Sequence, residues 1–237
     1  MRTIGLIGGM SWESTALYYQ TINREVARRL GGLHSATFHL ISLDFEDIAR
    51  RQRAQDWDGM SRILADAARR LEDGGAECVL IGTNTMHKVA PEVQSAIGVP
   101  LLHIAEVAAQ AIRARDMRVV GLLGTRFTME QPFYVEHLAG HGIGCTVPDE
   151  AARVEVHRII FEELCKGRIL PSSRSALQEI CAGLAARGAQ GIVLGCTELP
   201  LILSGDDVPL PIFDTTALHA LAAVDFALGT PGHRAAH

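Results

Sequence analysis

Short apolar runs alternate along the chain with longer segments in which apolar and polar residues are mixed. Between these runs, residues 57–70 and 173–187 carry apolar side chains at three- and four-residue spacing, which is typical of helices that bury one face. The runs themselves occupy residues 3–7, 37–41, 78–81, 119–123 and 191–194. Short buried strands that alternate with amphipathic helices predict an α/β fold built on mostly parallel sheets.

The second half of the chain repeats the first. Residues 5–8 match residues 121–124 at an offset of 116, and residues 75–83 match residues 188–196 at an offset of 113. The small difference between the two offsets is what a change in loop length would produce. The repeat predicts an internal duplication that yields two pseudosymmetric lobes, each with a mostly parallel sheet flanked by helices.

The lobe boundaries are expected between the repeats. The first lobe is predicted to contain residues 1–104 together with residues 213–237, and the second lobe residues 105–212. The segment Asp-Thr-Thr at 214–216 is typical of a helix N-cap. A final helix over 217–228 is therefore expected to return to the first lobe and cover it.

Composition and charge limit the functional classes to which the protein could belong. The 237 residues are 48% hydrophobic and 21% charged, the balance of a folded chain with room for one large or two small domains. A formal net charge of -5 argues against binding to nucleic acid or to a membrane surface. Since neither a signal peptide nor a long apolar stretch is evident, we expect a cytoplasmic protein that acts on a small molecule.

Polar segments follow four of the predicted strands. In parallel α/β sheets the ligand sites lie beyond the carboxyl ends of the strands, so two facing lobes would form one cleft. Small polar residues and backbone N–H groups at helix starts can bind a carboxylate. Four such segments are therefore expected to bind a substrate that has more than one carboxylate. These segments are residues 8–11, 82–88, 124–128 and 195–200.

The cysteines are expected to be free thiols. Their number, five, is odd and no C-x-x-C pair occurs, which argues against a disulfide framework or a zinc knuckle. Cys196 directly follows a strand end, where N–H donors would lower the pKa of its thiol below about 8.5. His87 is the candidate for its activating partner, although a capping or packing role would explain His87 equally well. A packing role is expected for the remaining thiols, Cys78, Cys145, Cys165 and Cys181.

Motifs for metals and nucleotides are weak. His137 and His141 lie four residues apart, but Gly140 and the missing acidic residue of the H-E-x-x-H pattern count against a zincin-like metal site. Residues 5–10 lack the G-x-G-x-x-G spacing of a dinucleotide site, and no P-loop occurs. We therefore expect no metal and no cofactor.

Several motifs together resemble the aspartate/glutamate racemases. They are the segments at residues 8–15, 83–87, 123–129, 160–164 and 195–198. The match covers nearly the whole chain in order. The resemblance implies a two-lobed α/β fold, a homodimer, no cofactor, and an amino-acid substrate whose α-carbon lies between two cysteines, one from each repeat.

The resemblance also implies roles for individual residues. Cys196 would be the base that acts on the L-enantiomer, whereas the first-repeat cysteine, due at position 83, is Thr83. A threonine hydroxyl is a far weaker acid than a thiol and cannot serve as an alkoxide base near neutral pH, although it can donate a hydrogen bond or relay a proton from water. Substrate contacts would come from Met10, Gln52, Asn84, Thr85, Thr125, Thr128, Lys166 and Thr197.

Three functions remain open at this point. The first is a racemase of aspartate, glutamate or a close relative, with unequal activity on the two enantiomers because of Thr83. The second is a one-thiol reaction of the same superfamily, either a malonate-type decarboxylation or a cis-trans isomerisation. The third is a non-catalytic amino-acid binder that has lost one base and kept the pocket.

Overall fold

The computed structural model describes residues 1–229. Its eight strands in this range are β1 (Ile4–Gly8), β2 (Phe38–Ser42), β3 (Cys78–Ile81), β4 (Leu101–Leu102), β5 (Val119–Gly124), β6 (Gly144–Thr146), β7 (Ile192–Gly195) and β8 (Ile212–Asp214). The α-helices are α1 (Trp12–Leu30), α2 (Phe45–Arg53), α3 (Trp57–Asp73), α4 (Ala90–Ser95), α5 (Ile104–Arg113), α6 (Arg126–Glu130), α7 (Pro132–Gly140), α8 (Glu150–Arg158), α9 (Pro171–Ala186) and α10 (Thr215–Leu228).

The strands form two four-stranded sheets of identical order. The first sheet runs β2-β1-β3-β4 and the second runs β6-β5-β7-β8. Every pair of neighbouring strands is parallel. The α/β prediction and the prediction of an internal duplication are thereby confirmed.

Helices cover both faces of the first sheet. On one face α3 packs against β1 and β3, with Leu64 and Leu71 buried against Ile7 and Ile81. The other face is covered by α1 and α10, and here Tyr18 and the alanines of α10 pack on the same two strands. Because β1 and β3 are buried on both sides, they read in the sequence as continuous apolar runs.

One core cluster joins α8 and α9 to the second sheet. Val156 of α8 and Leu177 and Leu184 of α9 are buried against Ile192 and Leu194 of β7. The amphipathic spacing of residues 173–187 correctly predicted α9 as a helix that buries one face.

The chain divides into two compact units. One contains Met1–Ile104 and the chain from His219 onward, and the other contains Ala105–Leu218. The return to the first unit therefore comes six residues later than the predicted division between residues 212 and 213. The physical reason is that β8 pairs with β7 and completes the second sheet.

The start of α10 has the predicted cap. Asp214 Oδ1 accepts the backbone N–H groups of Thr216 and Ala217 at 2.9 and 3.0 Å. Beyond the cap, Ala220, Ala223 and Val224 are buried in the first unit, as expected for a helix that returns to cover it. Residues 230–237 of the predicted first lobe lie outside the described residues.

Across residues 1–229, no helix combines the length and the apolar character that crossing a membrane requires.

Candidate active site

In the first unit, the predicted site residues follow neighbouring strands. Met10 comes two residues after β1, and Thr83, Asn84 and Thr85 follow β3 after a single glycine, Gly82. Since β1 and β3 are hydrogen-bonded parallel neighbours, these residues lie at the same edge of the sheet. Gln52 of α2 is buried, and its amide nitrogen lies 3.4 Å from the sulfur of Met86, the residue after Thr85.

In the second unit, the corresponding residues follow β5 and β7. Thr125 follows Gly124 and Cys196 follows Gly195, and these two glycines are paired across the strands. A Cβ atom on Gly124 would lie 2.8 Å from the carbonyl oxygen of Gly195, so a side chain at position 124 would push the strand ends apart. Thr128, in the first turn of α6, has its hydroxyl 3.2 Å from that of Thr125.

Thr83 and Cys196 occupy equivalent positions in their own sheets. Each follows a glycine at the carboxyl end of the third strand of its unit, β3 for Thr83 and β7 for Cys196. The structure therefore agrees with the internal alignment that sets the threonine in the place of a cysteine.

The thiol of Cys196 donates a hydrogen bond to Glu198. The Cys196 sulfur lies 3.0 Å from Glu198 Oε2, and the Thr197 hydroxyl donates to the same oxygen at 3.1 Å. All three side chains are buried. A carboxylate in this position can accept the proton of the thiol, so the site holds an acid and its base within one turn of chain.

Glu198 was not singled out from the sequence. It stood in the motif at residues 195–198 with no role of its own, although an acidic residue two positions after a strand-end cysteine is the signal that could have found it. Its contact with Cys196 depends on the conformation of residues 196–198, which a linear pattern does not specify.

The predicted direction of the Cys196 pKa is wrong. Burial raises the pKa of the Cys196 thiol well above its ordinary value, and the negative charge of Glu198 and the neighbouring Cys165 raise it further. The backbone N–H of Glu198 lowers the pKa, as the sequence argument expected of such donors, but its effect is smaller.

The other thiols fit the packing role predicted for them. Burial raises the pKa of Cys78, Cys145 and Cys181 to about 12. Burial also raises the pKa of Cys165, and the charge of Glu198 adds to this effect. Cys196 is distinguished from them by its hydrogen bond to a buried carboxylate at a strand end.

His87 is bound to the backbone of its own unit. Its Nε2 accepts the N–H of Ile104 at 3.2 Å, so the ring proton lies on Nδ1, which donates to the carbonyl oxygen of Thr83 at 2.9 Å. These bonds favour the capping and packing alternative over a role in activating Cys196. The ring fixes the turn that carries Thr83.

Lys166 is exposed and lies in a short 3₁₀ turn, Leu164–Lys166. This turn follows a π-helical segment, Ile159–Glu163, whose last residue is buried. Glu163 accepts hydrogen bonds from Arg158 at 2.7 Å and from Ser173 at 2.5 Å. Cys165 of this turn packs against the core cluster that contains Cys196, and the charge of Glu198 acts on its thiol.

Comparison with known proteins gives a consistent result. The family model described as Asp/Glu/Hydantoin racemase matches residues 7–223. A broad specificity amino-acid racemase of Bacillus subtilis (strain 168) is 25% identical over 225 residues, which cover 93% of this chain and 96% of that protein.

Solved structures extend the similarity to the fold. A Yersinia pestis protein provisionally assigned as an Asp/Glu racemase superposes with a TM-score of 0.90 at 50% identity, over 96% of this chain and 100% of the other. An aspartate racemase homologue from Pyrococcus horikoshii OT3 superposes with a TM-score of 0.82 at 35% identity, again over 96% and 100%.

Proposed function

Because this chain belongs to the Asp/Glu/Hydantoin racemase family and is an isomerase, we propose that it interconverts the enantiomers of aspartate, glutamate or a close relative without a cofactor. The observation that carries the proposal is the buried thiol of Cys196, hydrogen-bonded to Glu198 at the carboxyl end of β7. A non-catalytic binder would have no need of a thiol and a buried carboxylate in that contact.

In the proposed mechanism, Glu198 accepts the proton of the Cys196 thiol. The resulting thiolate removes the α-proton of the L-enantiomer, and a proton is then delivered to the opposite face of the carbanion. The raised pKa of Cys196 favours this step because an α-proton is a very weak acid and requires a strong base. The positive charge of the substrate ammonium group offsets part of the free energy needed to form the thiolate.

The substrate carboxylates are proposed to bind at the strand ends. Thr125, Thr128 and Thr197 supply hydroxyl and backbone N–H groups in the second unit. In the first unit Asn84 supplies its side-chain amide and Thr85 its hydroxyl, together with backbone N–H groups. Helical turns begin directly after these strands, so their N–H groups carry partial positive charge toward an anion. Met10, Gln52 and Lys166 complete the proposed set of contacts.

Thr83 is proposed to make the two directions unequal. The L-substrate presents its α-proton to Cys196, whereas the D-substrate presents it to a hydroxyl that cannot form an alkoxide near neutral pH. Thr83 then acts by relaying a proton from water. Since the equilibrium cannot favour either enantiomer, slow removal on the Thr83 face is matched by slow reprotonation there.

The test is α-proton exchange in deuterium oxide, followed by NMR with each enantiomer of glutamate and aspartate. We expect deuterium to enter the L-enantiomer faster than D-product appears, and Thr83→Cys to increase exchange into the D-enantiomer. Cys196→Ala should abolish exchange, whereas Cys181→Ala, a buried thiol in the core of the same unit, serves as the matched control. Equal exchange of both enantiomers in the native chain would contradict the assignment of Thr83.

NMR spectra recorded with a wider panel of substrates separate the alternatives. Loss of a substrate carboxylate would indicate the malonate-type decarboxylation, a changed double-bond geometry in an unsaturated diacid would indicate the cis-trans isomerisation, and binding without exchange would indicate an amino-acid binder. Acidic amino acids are the preferred substrates in our proposal because the strand ends offer donors for two carboxylates. The Bacillus subtilis relative is named for broad specificity, so neutral amino acids belong in the same panel.

The homodimer, the cytoplasmic location and the independence from cofactors stay predictions. The dimer follows from the family resemblance and is supported by exposed apolar side chains on α1, on β2 and on the segment that joins them. Leu33 of the joining segment is fully exposed, and Tyr19 of α1 and Leu40 of β2 are about half exposed. A second copy of the chain would bury them.

A further inference from the structure

Two helices of the second unit bring a carboxylate and two imidazoles together away from the strand ends. Glu106 lies in the first turn of α5, and His137 and His141 lie one turn apart at the end of α7. Glu106 Oε2 is 3.1 Å from His137 Nε2 and 2.7 Å from His141 Nε2. The sequence argument against a metal at the two histidines rested on Gly140 and on the missing acidic residue of the zincin pattern, whereas the fold brings the carboxylate of Glu106 to both histidines from another helix.

From this cluster we propose a binding site for a divalent transition metal ion, with zinc as the best match, on Glu106, His137 and His141. The potential ligand atoms all lie within 4.8 Å of one another. Ligands about 2.0 to 2.1 Å from a tetrahedral zinc ion are separated by about 3.3 Å, so small side-chain rotations suffice. Two imidazoles with one carboxylate suit zinc, cobalt, nickel or copper better than magnesium or calcium.

The surroundings of the cluster favour a metal site over a simple ion pair. Gln110, one turn along α5, donates to Glu106 Oε1 at 2.9 Å, which leaves Oε2 directed at both histidines. An outer hydrogen bond of this kind orients a metal-binding carboxylate. The three side chains are between 25% and 36% exposed, so an ion can enter from solvent and a water molecule can complete the coordination.

The expected role of the metal is structural. It would join the start of α5 to the end of α7, and binding to the folded chain alone would stabilise the unit that contains both helices. The site shares no residue with the proposed racemisation machinery, so chelation is expected to leave turnover unchanged. The two proposals can therefore fail independently.

The test is titration of the untagged chain with Co²⁺ and Zn²⁺, followed by visible absorption, calorimetry and thermal unfolding. We expect one ion per chain, a tetrahedral cobalt spectrum without the charge-transfer band of a thiolate ligand, and a higher unfolding temperature with zinc. His141→Gln and Glu106→Gln should weaken binding by about 100-fold and Gln110→Ala by about 10-fold. His34→Gln, which removes an exposed histidine of the other unit, is the matched control.

The proposal is overturned by any of three results. The first is the absence of saturable binding in the native chain, and the second is binding that His141→Gln and Glu106→Gln leave unchanged. A thiolate charge-transfer band that disappears in Cys196→Ala would assign the metal to the thiol and would equally overturn it. Should His141→Gln fail to fold, Gln110→Ala decides, because that change leaves all three ligands in place.

Discussion

At the scale of single residues, the short contact between Cys196 and Glu198 determines how the site can react. Glu198 has two effects that oppose each other. Its negative charge raises the pKa of the Cys196 thiol, which disfavours the thiolate. Its carboxylate oxygen, however, accepts the hydrogen bond of the thiol and can accept the thiol proton. A substitution that keeps the shape of Glu198 and removes its charge separates the two effects.

Glu198→Gln is therefore expected to make the thiol more acidic and the enzyme slower. Without the carboxylate charge the pKa of Cys196 falls, so alkylation by iodoacetamide at pH 8 should become faster. Without the base, turnover should fall by about 100-fold, the usual size of a general-base contribution. Alkylation and α-proton exchange measured on the same preparation check both effects. Slower alkylation together with full turnover would rule out the proposed role of Glu198.

Sequence reasoning located Cys196 and missed its environment, for one physical reason. A cysteine that directly follows a buried apolar run must lie at a strand end, and this position is a local property of the sequence. The direction of its pKa depends instead on how much protein surrounds the sulfur and on which charge the following turn brings near it. Both are properties of the packed chain, and so the expectation of a lowered pKa was wrong.

At the scale of elements, the segment between α8 and α9 packs against the core cluster that contains Cys196. The π-helical residues Ile159–Glu163 lead into the 3₁₀ turn that contains Cys165, and the buried carboxylate of Glu163 connects Arg158 of α8 to Ser173 of α9. This connection holds the turn in position.

Ser173→Ala is expected to weaken this segment. It removes a hydrogen bond to a buried carboxylate, and bonds to charged groups contribute about 2 kcal/mol. Urea unfolding should give a lower free energy of unfolding by about that amount. Ser175→Ala, on an exposed position of the same helix, is the control and should change the free energy little. Equal effects of the two substitutions on the free energy of unfolding would show that the contact between Ser173 and Glu163 does not stabilise the segment.

The five strands and three helices predicted from the sequence lie within a few residues of their expected positions. β3 and β7 were expected at 78–81 and 191–194, and they are Cys78–Ile81 and Ile192–Gly195. Buried parallel strands are easy to recognise in the sequence as apolar runs, because both of their faces must be apolar. The π-helical segment could not be recognised, because its widened turn has no periodicity that distinguishes it from the helix before it.

At the scale of the whole molecule, α10 is held in the first unit by a buried histidine. His219 Nδ1 accepts the hydroxyl of Tyr18 in α1 at 2.8 Å, and its Nε2 donates to the carbonyl oxygen of Leu102 in β4 at 2.7 Å. Burial lowers the pKa of His219 to about 3, since a charged imidazole there would lose its water and its acceptor role.

This histidine is expected to make the protein less stable in mild acid. An unfolded histidine takes up a proton near pH 6.5, whereas folded His219 does so only near its lowered pKa of about 3. Stability is therefore complete above pH 6.5 and falls as the pH decreases toward 3, by about 1.4 kcal/mol between pH 7.5 and 5.5. Urea unfolding at these two pH values should give that loss in the native chain and a smaller one in His219→Asn. An equal loss in both chains would show that other groups carry the pH dependence.

The division of α10 between the two units also determines the order in which the chain can fold during synthesis. The second unit is one continuous stretch, Ala105–Leu218, whereas the core of the first unit needs Ala220, Ala223 and Val224 beside Ile4 and Tyr18. Because the ribosome makes the chain from its amino terminus, the unit that is started first is the last to be completed. The apolar side chains of β1 and α1 that pack against α10 therefore stay uncovered until residues 220–224 have been made, which is after the whole of the second unit.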